Sequence, residues 1–153
     1  METQKPKAWI GIDPGQNGAA ALISEEAMDY FDWPGDSVLA AKEIREWVED
    51  YDITLALIEK VSSRPGNGTV SMFKFGVNCG VWHGILSAFK IPFTLVAPRE
   101  WQKGLITPTD GIDPKQRSLV VARRLFPGAD LCLKKHHGRS DALLMALVAR
   151  NKM

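Results

Sequence analysis

One segment restricts the possible folds more than any other: the nearly continuous apolar run of residues 54–59, which ends in Glu59. Such a run indicates a central strand that is covered on both faces, because a strand with one wet face alternates apolar and polar residues. The rest of the chain alternates strand-like and helix-like patterns without repeats or long linkers. We therefore predict an α/β domain.

The predicted elements follow one another closely. Residues 9–13 form a β-rich run that Pro14-Gly15 stops, and residues 19–23 look like its hairpin partner. Further strands are predicted at 28–33 and 93–96. Helices are predicted from Asp36 or Ser37 to about Tyr51, from Val70 towards Phe89, from Pro114 to Leu125, and from about Ser140 onward.

Size and composition indicate one compact domain over residues 1–153. The chain has 153 residues and 45% hydrophobic content, which is enough for one good core and too little for two ordinary domains. Its apolar runs are too short for a membrane span, so we expect a cytoplasmic protein without a membrane partner. Cys79 and Cys132 lie far apart in the sequence, and we expect reduced, buried thiols rather than a disulfide or a zinc site.

Charge is distributed unevenly along the chain. Residues 1–60 hold 13 acidic and 5 basic side chains, a net charge of −8, whereas residues 61–153 hold 5 acidic and 14 basic ones, a net charge of +9. The second part can face a polyanion. The alternative is that both sets of charges simply lie on solvated helix faces.

Three acids stand where a buried element is predicted to end or begin. Asp13 ends the first strand, Glu59 ends the fourth, and Asp141 lies in the first turn of the last helix. Carboxylates that converge repel one another unless a hard cation or protons neutralise them, so together they indicate a metal site. Taken singly, Asp13 can cap a turn, Glu59 can pair with a lysine, and Asp141 can interact with the helix dipole.

A basic, histidine-containing segment precedes the last acid. His137 stands four residues before Asp141, so the two side chains share a face if the helix begins early enough. A neutral imidazole beside carboxylates can bind a metal or move a proton, and Lys134, Lys135 and Arg139 can neutralise phosphate. The alternative is an ordinary surface histidine pair.

Several motifs occur in a recognisable order: Gly11-Ile-Asp-Pro-Gly15, Leu57-Ile-Glu-Lys-Val61, Ser71-Met-Phe-Lys-Phe-Gly76 with Gly80, and His136-His-Gly-Arg-Ser-Asp-Ala-Leu-Leu-Met-Ala146. In this order they resemble the RuvC-type Holliday junction resolvases of the RNase H-like superfamily, most of all the small phage and prophage members. The resemblance also takes in Val96-Ala-Pro-x-x-Trp101, Lys115-x-x-Ser118 and Arg123-Arg-Leu-Phe-Pro127.

The resemblance implies an RNase H-like fold, with a mixed sheet whose first three strands are antiparallel and helices on both faces. It implies a crossover junction endodeoxyribonuclease in which Asp13, Glu59, His137 and Asp141 are the catalytic and metal-binding residues. Two Mg²⁺ ions about 4 Å apart, which Mn²⁺ could replace, would be bridged by Asp13. The cleavage reaction would then give a product that carries a 5′-phosphate. Many relatives have a carboxylate at the histidine position. His137 is therefore a ligand or a general base, or His136 takes its place.

The resemblance also implies contacts with branched DNA and action as a homodimer, in the cytoplasm of a bacterium or a phage-infected host. Phe73 or Phe75 would stack on bases, an interaction worth about 1–3 kcal/mol, or would instead lie in the helix core. Trp82 is a candidate for the dimer interface. The candidate DNA-binding residues are Lys60, Arg64, Phe73, Lys103, Lys115, Lys134, Lys135 and Arg139.

Three other functions compete with this one. Another RNase H-like nuclease would use the same acids on a different branched DNA or on RNA. A nucleotide-binding protein of the actin and sugar-kinase type also ends its first strand in Asp and a glycine turn, but needs two domains and a second phosphate loop. A binding module with structural acids would bind branched DNA after Asp13→Asn but never cut it.

Overall fold

The computed structural model describes residues 3–60, 66 and 68–153 of the protein. Within them, the chain forms five strands, five helices and two short 3-10 turns, Pro108–Asp110 and Lys134–His136. The strands are β1 Lys7–Asp13, β2 Ala19–Ser24, β3 Met28–Asp32, β4 Asp52–Glu59 and β5 Phe93–Val96. The helices are α1 Ser37–Asp50, α2 Thr69–Ala88, α3 Pro98–Gln102, α4 Pro114–Leu125 and α5 His137–Lys152.

The five strands form one mixed sheet in the order β3-β2-β1-β4-β5. β1 and β2 pair antiparallel, as do β2 and β3, whereas β4 runs parallel to both β1 and β5. The predicted sheet, with its first three strands antiparallel, is confirmed. The central position of β4, predicted from its apolar run, follows from its pairing with a strand on each side.

Helices cover both faces of this sheet, as predicted. On one face, Trp9, Leu55 and Leu57 pack against a cluster from α3, α4 and α5. On the other face, alternating residues such as Ile10 and Ile58 pack against a second cluster from α1 and α2. Each face of the sheet therefore has its own buried apolar layer, which is why the central strands read as continuous apolar runs.

Two helix starts agree with their capping signals. The carboxylate of Asp36 accepts the backbone N–H groups of Val38 and Leu39 at 2.8 and 3.0 Å. Pro114 is the first residue of α4, and the Asp113 carboxylate accepts the N–H of Lys115 at 3.0 Å. These caps satisfy N–H groups that the first helical turn leaves without an internal partner.

The start of the last helix was predicted wrongly. α5 begins at His137 rather than near Ser140, because the 3-10 turn before it runs directly into the helix without a capping side chain. Gly138 lies in this first turn against the loop between β1 and β2, where an added Cβ would come within 2.4 Å of the Asn17 carbonyl oxygen. The local sequence carries no capping signal for this earlier start.

Two further expectations are corrected. The cysteines are not buried thiols, because Cys132 is exposed and Cys79 is only partly buried on α2. Trp82 is not an interface residue, because its fully buried ring packs 5.6 Å from Trp33 and 6.0 Å from Phe31, centroid to centroid. Among the described residues, none of the helices combines the length and apolar character that crossing a bilayer requires.

Candidate active site

The carboxyl ends of β1 and β4 place two acids side by side. These strands are parallel neighbours, and Ile12 of β1 lies opposite Ile58 of β4. Asp13 and Glu59, which follow these two residues, therefore leave the same edge of the sheet. Parallel pairing brings acids together that are 46 positions apart in the sequence.

Helix α5 adds the other two predicted residues. It crosses β1 so closely that a Cβ at Gly11 would lie 2.0 Å from the Ala142 carbonyl oxygen. This approach brings the first turn of α5 to the end of β1. One ligand atom from each of Asp13, His137 and Asp141 lies within 4.8 Å of the other two.

Burial gives the three carboxyl groups unusual acidities. Burial raises the pKa of Asp141 well above its ordinary value, and the charges of Asp13 and Glu59 raise it further, against a hydrogen bond from Ser118. Burial also raises the pKa of Asp13, against an N–H donated by Gly15 and the charge of His137. The pKa of Glu59 rises to about 7, mainly through burial and partly through Asp13. All three groups would be stabilised by a cation.

The hydrogen-bond donors around these carboxylates are neutral. The indole Nε1 of Trp101 donates to Oε2 of Glu59 at 2.8 Å. The Ser118 hydroxyl lies 3.0 Å from the Ser140 hydroxyl, and Ser118 acts to lower the pKa of Asp141. Within the described ranges, no lysine or arginine nitrogen lies within 4.0 Å of the three carboxylates.

This donor set fits a hard divalent cation. Carboxylate oxygens are the ligands that Mg²⁺ and Mn²⁺ prefer, and an imidazole can join them.

The structure also tests the two simpler roles predicted for Asp13 and Glu59. Asp13 does accept a turn N–H, from Gly15, yet it still faces His137 and Asp141. The pairing of Glu59 with a lysine is wrong, because its partner is the indole of Trp101.

The two adjacent histidines face different surroundings. His137 lies with Asp13 and Asp141. His136 is buried on the other side of the turn, where its Nδ1 accepts the N–H of Leu133 at 3.2 Å. The structure therefore brings His137, and not His136, to the carboxylates.

Most of the predicted DNA-binding residues are exposed. Phe73 is 73% exposed on α2, so the alternative that it lies in the helix core is wrong. Arg64 lies outside the described residues. The exposed lysines border the site in sequence: Lys60 follows Glu59, Lys103 follows Trp101 by two residues, Lys115 precedes Ser118 by three, and Lys134 and Lys135 precede the start of α5.

Arg139 differs from the exposed lysines because it already has acidic partners. Its Nε and Nη2 donate to both carboxylate oxygens of Asp32 at 2.8 Å, and its Nη1 donates to the Asp130 carbonyl at 3.0 Å. Its guanidinium also lies 5.5 Å from the centre of the Tyr30 ring. This network ties α5 to β3. A phosphate contact by Arg139 stays a prediction, and would compete with Asp32.

Three residues near the site are not predicted from the sequence to belong to it. Trp101 and Ser118 belonged to motifs of the resemblance, but neither pattern indicated a bond to a carboxylate. Cys79 of α2 lies near enough to Asp13 for that charge to raise the pKa of its thiol, after the larger effect of burial. A lone cysteine within a helix offers no sequence signal of such a neighbour.

Comparison with known proteins gives one relative and a set of similar structures. No protein-family model matches the chain. Over 84 residues, or 54% of the chain, it is 37% identical to the chloroplastic Holliday junction resolvase MOC1 of Chlamydomonas reinhardtii. The match covers 9% of that relative's length, so it concerns a small part of a much longer protein.

The solved structures cover nearly the whole chain. Thermus thermophilus RuvC in complex with a Holliday junction substrate superposes with a TM-score of 0.61 over 94% of this chain and 91% of that one, at 15% identity. A second RuvC structure from the same organism gives a TM-score of 0.59 over 92% of this chain and 90% of that one, also at 15% identity. The protein therefore has the RuvC fold, which is RNase H-like.

Proposed function

We propose that this protein is a divalent-metal-dependent endonuclease that cuts four-way DNA junctions. One observation carries the proposal: Asp13, His137 and Asp141 converge at the carboxyl end of β1, with Glu59 on the neighbouring strand. The partly buried carboxylates of the three acids have only neutral hydrogen-bond donors among the described residues. Such a cluster is costly to maintain without a cation.

Each residue has a role that its position supports. Asp13, Glu59 and Asp141 would supply the oxygen ligands, and His137 would act as a further ligand or accept a proton from the attacking water. Bound Mg²⁺ or Mn²⁺ would activate that water and stabilise the leaving 3′-oxygen, which yields a 5′-phosphate. Trp101 and Ser118 would hold their carboxylates without neutralising them.

The choice of a DNA junction as substrate draws on the relatives. MOC1 is named a Holliday junction resolvase, and the RuvC structure contains a Holliday junction substrate. The exposed lysines around the site suit phosphate contacts, and the exposed Phe73 suits stacking on an unpaired base.

We further infer that two copies of the chain pair through the outer side of α2. Gly76, Gly80 and Gly84 recur at four-residue spacing there, and an added Cβ at each would meet nothing within 4 Å. Val77, beside them, is 48% exposed. Exposed glycines weaken a helix, and their recurrence on one side of α2 therefore supports an interface in which another backbone approaches closely.

The decisive assay uses a labelled synthetic four-way junction with Mg²⁺, beside a linear duplex and an RNA–DNA hybrid of matched sequence. We expect paired cuts confined to the junction, with 5′-phosphate ends that a ligase can reseal. Asp13→Asn should abolish cutting, because it removes a charged ligand, but should leave junction binding in EDTA unchanged.

Each other outcome contradicts a definite part of the proposal. Cutting of the hybrid or of another substrate instead of the junction would indicate an RNase H-like nuclease with a different target. Binding of the junction without cutting, in the wild type and in Asp13→Asn alike, would indicate a binding module. Cutting that survives Asp13→Asn would show that the assigned site is wrong.

A further inference from the structure

We propose that Trp101 is a positioning residue for Glu59: its indole N–H holds one carboxylate oxygen and thereby orients the other towards the metal site. The inference rests on the proposed function, because Glu59 is there a metal ligand. It concerns a side chain that acts through another residue and touches neither metal nor DNA.

The chain path around the end of the sheet places the indole over Glu59. Glu59 lies opposite Val96 in the β4–β5 pairing, and the N–H of Lys60 donates to the Val96 carbonyl at 2.7 Å. Immediately after β5 the chain turns into α3, which has Pro98 at its start. α3 carries Trp101 back to the site, where it is 1% exposed.

The bond to Glu59 is not simply what a buried indole requires here. Trp9 and Trp82 are also buried, yet their Nε1 atoms have no hydrogen-bond partner within the described residues. This fold therefore accommodates indole rings whose N–H groups are unsatisfied. The 2.8 Å bond from Trp101 goes to a carboxylate of the site, 42 positions away in the sequence.

Glu59 needs such a partner more than the two aspartates do. Its side chain has one more rotatable bond, so its carboxylate has more positions to lose when a metal binds. A neutral N–H fixes the group and leaves its negative charge available, whereas a lysine or arginine would compete with the cation. Loss of a residue that orients a metal ligand by a hydrogen bond typically reduces metal affinity or activity by about 10–100-fold.

The test compares Trp101→Phe with Trp9→Phe. The two tryptophans belong to the same buried cluster, so both changes remove indole packing from one core, but only the first removes a bond to Glu59. The readouts are Mn²⁺ affinity of the DNA-free protein by calorimetry, cleavage rate against Mg²⁺ concentration, junction binding in EDTA, and melting temperature.

We expect Trp101→Phe to weaken Mn²⁺ binding by about 10-fold and to slow cleavage by about 10–100-fold, with part of the rate restored by high Mg²⁺. Trp9→Phe should change neither by more than about 2-fold, even if it lowers the melting temperature as much. Junction binding in EDTA should be unchanged in both. Equal effects of the two variants on Mn²⁺ affinity would overturn the proposal.

A second substitution covers the case in which Trp101→Phe does not fold. Site-specific β-(3-benzothienyl)alanine at position 101 keeps the ring size and replaces the N–H by sulfur, so it removes the donor alone. It should reproduce the loss of Mn²⁺ affinity, and wild-type affinity would overturn the proposal. If wild-type protein cuts nothing but the Mn²⁺ effect is present, the positioning role stands and the nuclease function fails.

Discussion

Glu59 is a carboxyl group that the fold keeps at the boundary between ionised and protonated. Its pKa of about 7 results from burial and, to a smaller extent, from the charge of Asp13, opposed by the hydrogen bond from Trp101. The pKa values of Asp13 and Asp141 are raised as well. Without a metal, the folded protein therefore holds protons that the unfolded chain releases, and this difference makes its stability depend on pH.

The sign of that dependence follows from the raised pKa values. Below about pH 4.5 Glu59 is protonated in both states, and as pH rises to about 7 only the unfolded chain ionises fully. The free energy of unfolding in EDTA should therefore fall over this window, by up to about 3 kcal/mol from Glu59 alone. Denaturant titrations at pH 5 and pH 8 measure it.

Glu59→Gln is the control for this prediction. It cannot ionise, so the decline with pH should become smaller, with the remainder due to Asp13 and Asp141. Mg²⁺ should stabilise the wild type more at pH 8 than at pH 5, because the ligands must be ionised to bind it. An undiminished decline in Glu59→Gln would show that Glu59 does not carry the effect.

At the scale of elements, the contact between β1 and α5 decides whether the site forms. Gly11 permits this contact, since any Cβ there would overlap the backbone of Ala142 and Ala146 at 2.0 and 2.5 Å. Asp13 lies two residues after Gly11, and Asp141 lies one residue before Ala142. The packing of α5 on β1 therefore also brings Asp13 and Asp141 together.

Gly11→Ala should destabilise the protein by about 3 kcal/mol, because backbone atoms cannot move aside as a flexible side-chain end can. Cleavage should fall even in the fraction that remains folded, since α5 must lift away from β1. Gly128→Ala is the matched control: its Cβ would meet only the Met28 methyl group at 3.4 Å, so we expect a change within about 0.5 kcal/mol. Equal melting temperatures of the two variants would contradict the account.

At the scale of the whole molecule, resolving a four-way junction requires cuts in two strands. Because each chain would supply one active site, a pair of chains suits this reaction. The outer side of α2 is the surface proposed for this pairing. Gly80→Arg should abolish the dimer in sedimentation analysis, because a long charged side chain would replace open space in the middle of the contact.

The same substitution should not destabilise the separate chain, since replacing an exposed helical glycine by arginine favours the helix by up to about 1 kcal/mol. Monomeric protein should then cut the two junction strands independently rather than in pairs. Gly128→Arg, in the turn after α4, adds the same side chain elsewhere and should leave the dimer intact. A Gly80→Arg protein that still sediments as a dimer would place the interface on another surface.

Much of the fold and part of the site were predictable because their signals are local. The apolar run before Glu59 indicated a strand covered on both faces, and β4 has that position. Asp36 and Pro114 marked helix starts through caps that act within a few residues. The start of α5 at His137 was missed because it has no capping side chain, and because the packing of Gly138 against the β1–β2 loop has no local sequence signal.

The sequence alone determined which residues end the strands, which faces are apolar and which acids stand at buried boundaries, because alternation, periodicity and caps are properties of neighbouring residues. Only the tertiary structure decided that His137 rather than His136 meets Asp13, that Arg139 pairs with Asp32, and that Trp101 binds Glu59. These pairs depend on strand order and helix packing. Contacts between positions far apart in the chain exist only after the elements have assembled, so no local pattern encodes them.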